Sequence, residues 1–265
     1  MVNDGVVASP QEMVKVEAPV ATPKGFEMVQ LEVLDPIGVV HYMFGEGGVK
    51  IEPNVINQFW DHHRAVGSPW AVHSDASRDD VPLGLFGDAV KYRQKSYGKP
   101  EKMLAVFLNA PLWRPKLARA SRWLLFAIPE KNLYMHHTLD AVFRRIVWSL
   151  NVLREGLFPT CGPAGEPLSR KQAARAGQPI CRGLRFTITE LRGDWLYHRQ
   201  VFRFRSSWQS GSKAPVCFFC PAYSKGADSW LNFEDTSPLW AKQYSLTKWM
   251  VEELPPDPCS LPVLR

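Results

Sequence analysis

The stretch that decides the fold is Val81–Arg93, VPLGLFGDAVKYR, an apolar run that carries Gly87-Asp88 in its second half. Two more short apolar runs follow it. They are Lys102–Ala110, KMLAVFLNA, stopped by Pro111, and Trp123–Ile128, WLLFAI, stopped by Pro129. Short apolar runs bounded by proline or polar turns predict three strands. Downstream, residues 138–157 place Leu139, Val142, Phe143, Ile146, Val147, Leu150, Leu153 and Leu157 at three- and four-residue steps, the spacing of one helical face. Thr138 suits the N-cap of that helix, Asp140 the positive end of its dipole and Gly156 its exit. Leu184–Leu191, LRFTITEL, alternates and is rich in β-branched residues, which predicts a fourth strand running straight into Gly193-Asp194.

Three strands, a helix and a strand imply an α/β fold with a mixed sheet. The first three strands are antiparallel, and the helix returns the chain to lay the fourth beside the first. Such a crossover needs a dozen or more residues, and residues 129–183 supply them. This β-β-β-α-β order is the opening of an RNase H-like domain. It brings the ends of the first and fourth strands side by side, so Asp88 and Asp194 become the candidate catalytic pair. Two carboxylates present hard oxygens suited to Mg²⁺ or Mn²⁺. Paired ions of this kind activate a water or a 3′ hydroxyl for in-line phosphoryl transfer, usually with a third acid completing the site. A plainer reading stands beside it, because Gly-Asp is common turn chemistry at a strand end.

Around this core the chain divides into a disordered tail over 1–25, an N-terminal extension with a short helix over 26–80, a partial RNase H-like core over 81–210, and 211–265, the start of an insert with a divergent tail. Val14–Val20 could pair as a strand, and residues 26–48 suggest a strand or two closed by Gly45-Glu46-Gly47-Gly48. Asn54–Arg64 predicts a helix capped by Asn54, with Val55, Ile56, Phe59 and Trp60 on one face. Residues 67–80 read as a loop, 170–175 as a short helix, 196–205 as a helix in preference to a strand, and 239–253 as a further helix.

The 45% hydrophobic content, with 12% aromatic residues and ten Trp, argues for a packed core and against disorder. A formal charge of +6 favours contact with polyanions. Arg114, Lys116, Arg119 and Arg122, flanked by Trp113 and Trp123, fall in the turn between the second and third strands, and Arg199, Arg203 and Arg205 follow Asp194. Together they form a candidate DNA-contact set, with aromatics available to stack on exposed bases. A solvated hairpin is the competing reading. Five Cys at irregular spacing do not make a disulfide framework. No signal peptide is visible and no stretch reaches the roughly 18 apolar residues of a membrane span, so a soluble protein of the nucleus or cytoplasm is expected, neither secreted nor membrane-bound. Cys217 and Cys220 are half a zinc site. Only Cys259 lies downstream and no His follows His198, which leaves an incomplete Zn²⁺ site or two buried thiols. The doublets His62-His63 and His136-His137 point their rings in different directions and read as polar surface.

Four stretches carry a family resemblance: LFGDAVKY at 85–92, MLAVFLNAPLWRP at 103–115, RRIVWSLNVLREGLFPT at 144–160, and FTITELRGDW at 186–195 with the CFFC that follows. Across roughly residues 50–240 the chain resembles a group of dinoflagellate transposase-derived proteins. More remotely, it is similar to the CACTA-like and Plavaka-type DDE transposases of fungi. The resemblance implies that Asp88 and Asp194 match the first and second catalytic acids. It also implies that Cys217 and Cys220 match a Cys pair opening an inserted subdomain before the third acid. Ala89 stands where the similar proteins tend to have Gly, and the similarity stops after Pro238-Leu239-Trp240. The third acid is therefore expected beyond the stretch that matches, and little or no strand transfer is expected from this chain.

Overall fold

The computed structural model describes residues 13–72, 75–94, 97–116, 121–202, 223–225, 229 and 231. The chain divides into two units, Met1–Arg192 and Gly193–Arg265.

The first unit opens with a hairpin of β1, Met13–Thr22, and β2, Gly25–Leu34, paired antiparallel over ten residues each. The expected disordered tail is therefore corrected: residues 13–22 are a strand. The reason is period two. Val16, Ala18 and Val20 are buried while Lys15 and Glu17 face solvent, so one face of β1 has a core to join. That core includes the next helices. α1, Pro36–Gly45, occupies a stretch expected to be strand. Its start is fixed by Asp35, whose carboxylate accepts from the Ile37 N–H at 3.1 Å, with Pro36 in the first turn. α2, Pro53–Ala65, lies where the periodicity places it, but the N-cap is Glu52 rather than Asn54. A short α3, Pro69–Val72, interrupts the expected loop.

The main sheet holds β3, Val81–Arg93, β4, Glu101–Asn109, β5, Arg122–Pro129, and β6, Phe186–Gly193, in the order β5-β4-β3-β6. β3, β4 and β5 are antiparallel neighbours. The Val81 N–H donates to the Arg185 carbonyl at 2.8 Å, and Thr189 Oγ1 donates to the Leu83 carbonyl at 3.3 Å. Both partners advance in the same chain direction, so β6 runs parallel to β3 and the sheet is mixed. The expected strand order is the one observed.

The crossover between β5 and β6 is led by α4, His137–Glu155, followed by a short α5, Arg170–Ala173, opened by a capping box between Ser169 and Gln172. α4 begins one residue before the expected cap. Thr138 is fully buried and ties elements together instead, its hydroxyl accepting from the Tyr134 N–H and donating to the Pro19 carbonyl of β1. α4 exits at Gly156 in the left-handed conformation, φ 74°, as expected. Its apolar face packs on one side of the sheet, where the Phe143 and Phe126 rings meet edge to face at 5.8 Å. A bulge between Val106 and Phe107 leaves Leu125 of β5 without a partner, and both Leu125 and Phe126 are buried as a result.

In the second unit, α6, Trp195–Phe202, follows Asp194 at once and confirms the choice of helix over strand there. The expected helix over 239–253 lies outside the described residues.

Candidate metal and nucleic-acid site

Asp88 stands on β3 opposite Ala105 of β4. Alternation sends Leu83 and Leu85 into the core and sends Phe86, Asp88 and Val90 to the other face. Asp88 is accordingly half-buried. On the same face, Phe86 pairs across to Phe107 and Phe107 to Leu124, and Leu124 and Val90 are each 40% exposed. The Arg122 guanidinium lies 4.3 Å over the Phe86 ring, a cation–π contact that fixes a positive charge two residues along β3 from Asp88. The donor set suits a hard divalent cation in kind, because Asp88 offers carboxylate oxygens that are neither core-buried nor hydrogen-bonded among the described residues.

Asp194 belongs to the second unit. It follows the last residue of β6 and is exposed. Its Oδ1 accepts from the Tyr197 N–H at 2.7 Å and its carbonyl accepts from the His198 N–H at 3.1 Å, the bonds of a helix N-cap. The cap engages Oδ1 and leaves Oδ2 for another partner.

Of the expected DNA-contact residues, Arg114, Lys116 and Arg122 are exposed at the β4–β5 connection, and Arg199 is exposed on α6. Arg119 and Arg203 lie outside the described residues. The flanking aromatics are corrected. Trp123 is buried, 9% exposed, with its ring against Phe44 and against a half-buried Trp113 at 5.9 Å. Trp123 is a packing residue and offers no face to a base. Phe86 under Arg122, with Phe107 beside it, puts half-buried aromatic rings on the other side of the sheet.

No family model, curated protein or solved structure matches this chain.

Cys217 and Cys220 lie outside the described residues. Cys161 is exposed, Cys181 is buried, and both are free thiols. Among the described residues, no three His, Cys, Asp or Glu side chains gather as a metal-ligand group, and no helix is long and apolar enough to cross a membrane. Each histidine doublet lies at the surface, with His62 and His137 exposed and His63 and His136 half-buried. His63 bonds Ser68 Oγ through Nδ1 at 3.1 Å and sits against the Phe59 ring. Burial lowers its pKa, His62 lowers it further, and Glu190 opposes both. His137 stacks on Tyr134.

Three buried polar groups escape any sequence pattern. Asp80 is 2% exposed, and its carboxylate takes the Arg185 guanidinium at 2.8 Å, Thr187 Oγ1 at 3.2 Å and the Ser77 N–H at 3.1 Å, while its carbonyl accepts from Trp60 Nε1. This cluster locks the entrance of β3 to β6 and α2. Asp35 is 4% exposed; its Oδ1 accepts from Ser149 Oγ at 2.7 Å and from the Ile37 N–H, and its Oδ2 pairs with Arg145 at 2.7 Å. Cys181 approaches His41 Nδ1 at 3.9 Å, but burial pushes its thiol up to about 12, so it is a neutral packing group near pH 7 rather than a nucleophile. The signal available in advance was local only: Asp35-Pro36 announces a helix start, and nothing in the sequence announces its partner 110 residues away.

Proposed function

We propose that residues 81–210 derive from the RNase H-like core of a DDE-type transposase, with Asp88 and Asp194 descending from its metal-binding carboxylates and with metal-dependent DNA phosphoryl transfer as the ancestral activity. The observation that carries this reading is the strand order. Three antiparallel strands are followed by a helical crossover to a fourth strand parallel to the first, so the strand bearing Asp88 neighbours the strand that leads into Asp194. Mg²⁺ or Mn²⁺ is the cofactor class the two carboxylates would take, and a bound ion there would supply charge for a phosphate oxygen. Strand transfer by this chain is not part of the proposal, because only two acids are assigned.

A titration of the full chain with Mn²⁺ tests it. The expected result is selective paramagnetic broadening of the NMR signals of both Asp88 and Asp194, lost from both in Asp88→Asn. Asn is also a good N-cap, so Asp194→Asn keeps α6 capped and should likewise release the ion. Broadening at only one Asp, or only at scattered surface carboxylates, would remove the paired-metal reading.

A second reading is favoured by the open sheet face. Arg122 on Phe86, with exposed Arg114 and Lys116 at the neighbouring connection, makes a cationic and aromatic surface suited to holding nucleic acid without cleaving it.

A further inference from the structure

The positive charge of the chain is concentrated at one end of the β3–β4 hairpin. Residues 91–102, KYRQKSYGKPEK, carry five Lys or Arg and one carboxylate, a net +4 in a chain whose total is +6. They lie at the opposite end of β4 from Arg114 and Lys116, and the nine residues of β4 separate the two ends by about 27 Å. The β4–β5 ladder begins at Met103, opposite Pro129. Residues 91–93 and 101–102 therefore run on past the end of β5 as a two-stranded ribbon.

The cations of this ribbon are not balanced. Lys91 and Lys102 are register partners, two ammonium groups opposite each other on one face. Like charges so placed destabilise a strand pair. Alternation puts Asp88 on the other face of β3 from Lys91. Arg93 stands opposite Glu101, but that carboxylate accepts from Tyr92 Oη at 2.9 Å and pairs with Lys131 at 3.8 Å. Among the described residues, Lys91, Lys99 and Lys102 have no ion pair and no hydrogen bond. Lys91, Arg93 and Lys99 are exposed and Lys102 is half-buried. Beside them stands an aromatic ring with no packing role. Tyr97 is 94% exposed and meets no other ring among the described residues, and Tyr92 is 39% exposed. A like-charge pair and a bare phenol ring at one hairpin end both cost the free chain something that a partner would return.

We propose that the end of the β3–β4 hairpin binds single-stranded nucleic acid, with phosphates along Lys91, Lys102 and Lys99 and an unpaired base on the Tyr97 ring. Alternating cations and open aromatic faces are what a single strand requires, because it offers backbone charge and a free base face at every nucleotide. A duplex hides its base faces in the stack and would leave Tyr97 unused. An acidic polypeptide would meet the lysines and also leave the ring idle. A phosphate between Lys91 and Lys102 turns their repulsion into two attractions. Neither Asp88 nor Asp194 belongs to this site, and it shares no residue with the Arg122 surface at the other end of β4, so it does not depend on either reading of the preceding section.

The test uses the full chain and fluorescence anisotropy with three labelled probes: the 12-mer of thymidylate, a 12-base-pair duplex of mixed sequence, and poly-L-glutamate. The expected order is thymidylate 12-mer tightest, with affinity falling as NaCl rises. Lys91→Gln with Lys102→Gln removes a like-charge pair, so the fold is kept. This double variant should lower the slope of log affinity against log salt by roughly 1.4, at about 0.7 per phosphate contact on a single strand. Tyr97→Ala, at a side chain that holds nothing else, should weaken the 12-mer roughly tenfold with the salt slope unchanged, the signature of a lost stacking platform, and Tyr97→Phe should restore it. Arg114→Gln with Lys116→Gln removes the same charge from the other end of β4 and should weaken the 12-mer less than the hairpin pair does. Tighter binding of the duplex or of poly-L-glutamate, unchanged affinity in Tyr97→Ala, or equal losses from the two charge variants would overturn the proposal.

Discussion

The carboxylate of Asp35 joins the start of α1 to the middle of α4, and its neighbours decide what each substitution should do. Asp35→Ala would leave Arg145 mostly buried without its counter-charge, and the expected loss is about 3 kcal/mol or more. Ser149→Ala removes one of three donors and should lose about 1 kcal/mol. Urea unfolding of both variants checks the ratio, and equal losses would contradict the network. Cys181 gives a pH dependence. Burial raises its folded-state pKa from 9.0 to about 12, so the folded chain holds the thiol proton more tightly than the unfolded chain. Its contribution to stability is complete below about pH 9 and is lost as pH rises from there toward 12. The urea midpoint should fall across the accessible part of that window, and less so in Cys181→Ala. Tyr197, raised by burial, acts in the same direction at higher pH. At neutral pH the exposed Cys161 should alkylate readily and Cys181 only on unfolding. None of these buried roles was legible in the sequence. Asp80 and Arg185 lie 105 positions apart, and no periodicity links residues that only tertiary packing brings together.

At the scale of elements, the sequence was most readable where a period ran long or a proline closed it. α4, β3, β4 and β5 lie within one or two residues of expectation for that reason. β1 shows alternation in Val14, Val16, Ala18 and Val20, and a strand is expected within 26–48, but nothing local links the two stretches into a hairpin or announces the helix that the buried face of β1 packs on. α1 was hidden because PIGVVHYMFG is apolar on most sides, and a buried helix of that length cannot be told from strand by periodicity. Gly156 shows how closely a terminus can be specified. A Cβ built there would sit 3.1 Å from Arg185 Cγ and 3.1 Å from the Leu184 carbonyl, at φ 74°. Gly156→Ala should therefore cost about 1–2 kcal/mol, through left-handed strain and the need to move the approach to β6. Thermal unfolding measures it, and a neutral result would show that this approach yields easily. Gly84 is a parallel case inside β3, where a Cβ would meet Asn109 Oδ1 at 2.8 Å across the strand pair.

At the scale of the molecule, the strand order was legible because the crossover length and the helix period together left few ways to close the sheet. What the surface does was less legible. The basic cluster and the two Trp residues beside it looked like one binding feature, and folding separates them, since Trp123 joins the core and leaves the charges outside. If the exposed cations hold nucleic acid, binding of the full chain to a duplex should weaken as salt rises. Replacing Arg114, Lys116 and Arg122 together by Gln should reduce the slope of log affinity against log salt by roughly 2.7, at about 0.9 per phosphate contact. Fluorescence anisotropy at several NaCl concentrations reads that slope directly. An unchanged slope would place any DNA contact elsewhere.

The bond between the Val81 N–H and the Arg185 carbonyl also sets a clock. Val81 leaves the ribosome long before Arg185 does, and synthesis proceeds at about 5–20 residues per second. For roughly 5–20 s of each round of synthesis, β3 has β4 on one side and an apolar open edge on the other. An unpaired edge of this kind invites strand addition from other chains. The nascent chain is thus at its most vulnerable in the interval between the third and fourth strands, and slowing translation through the α4 crossover would lengthen that interval and lower the yield of folded protein.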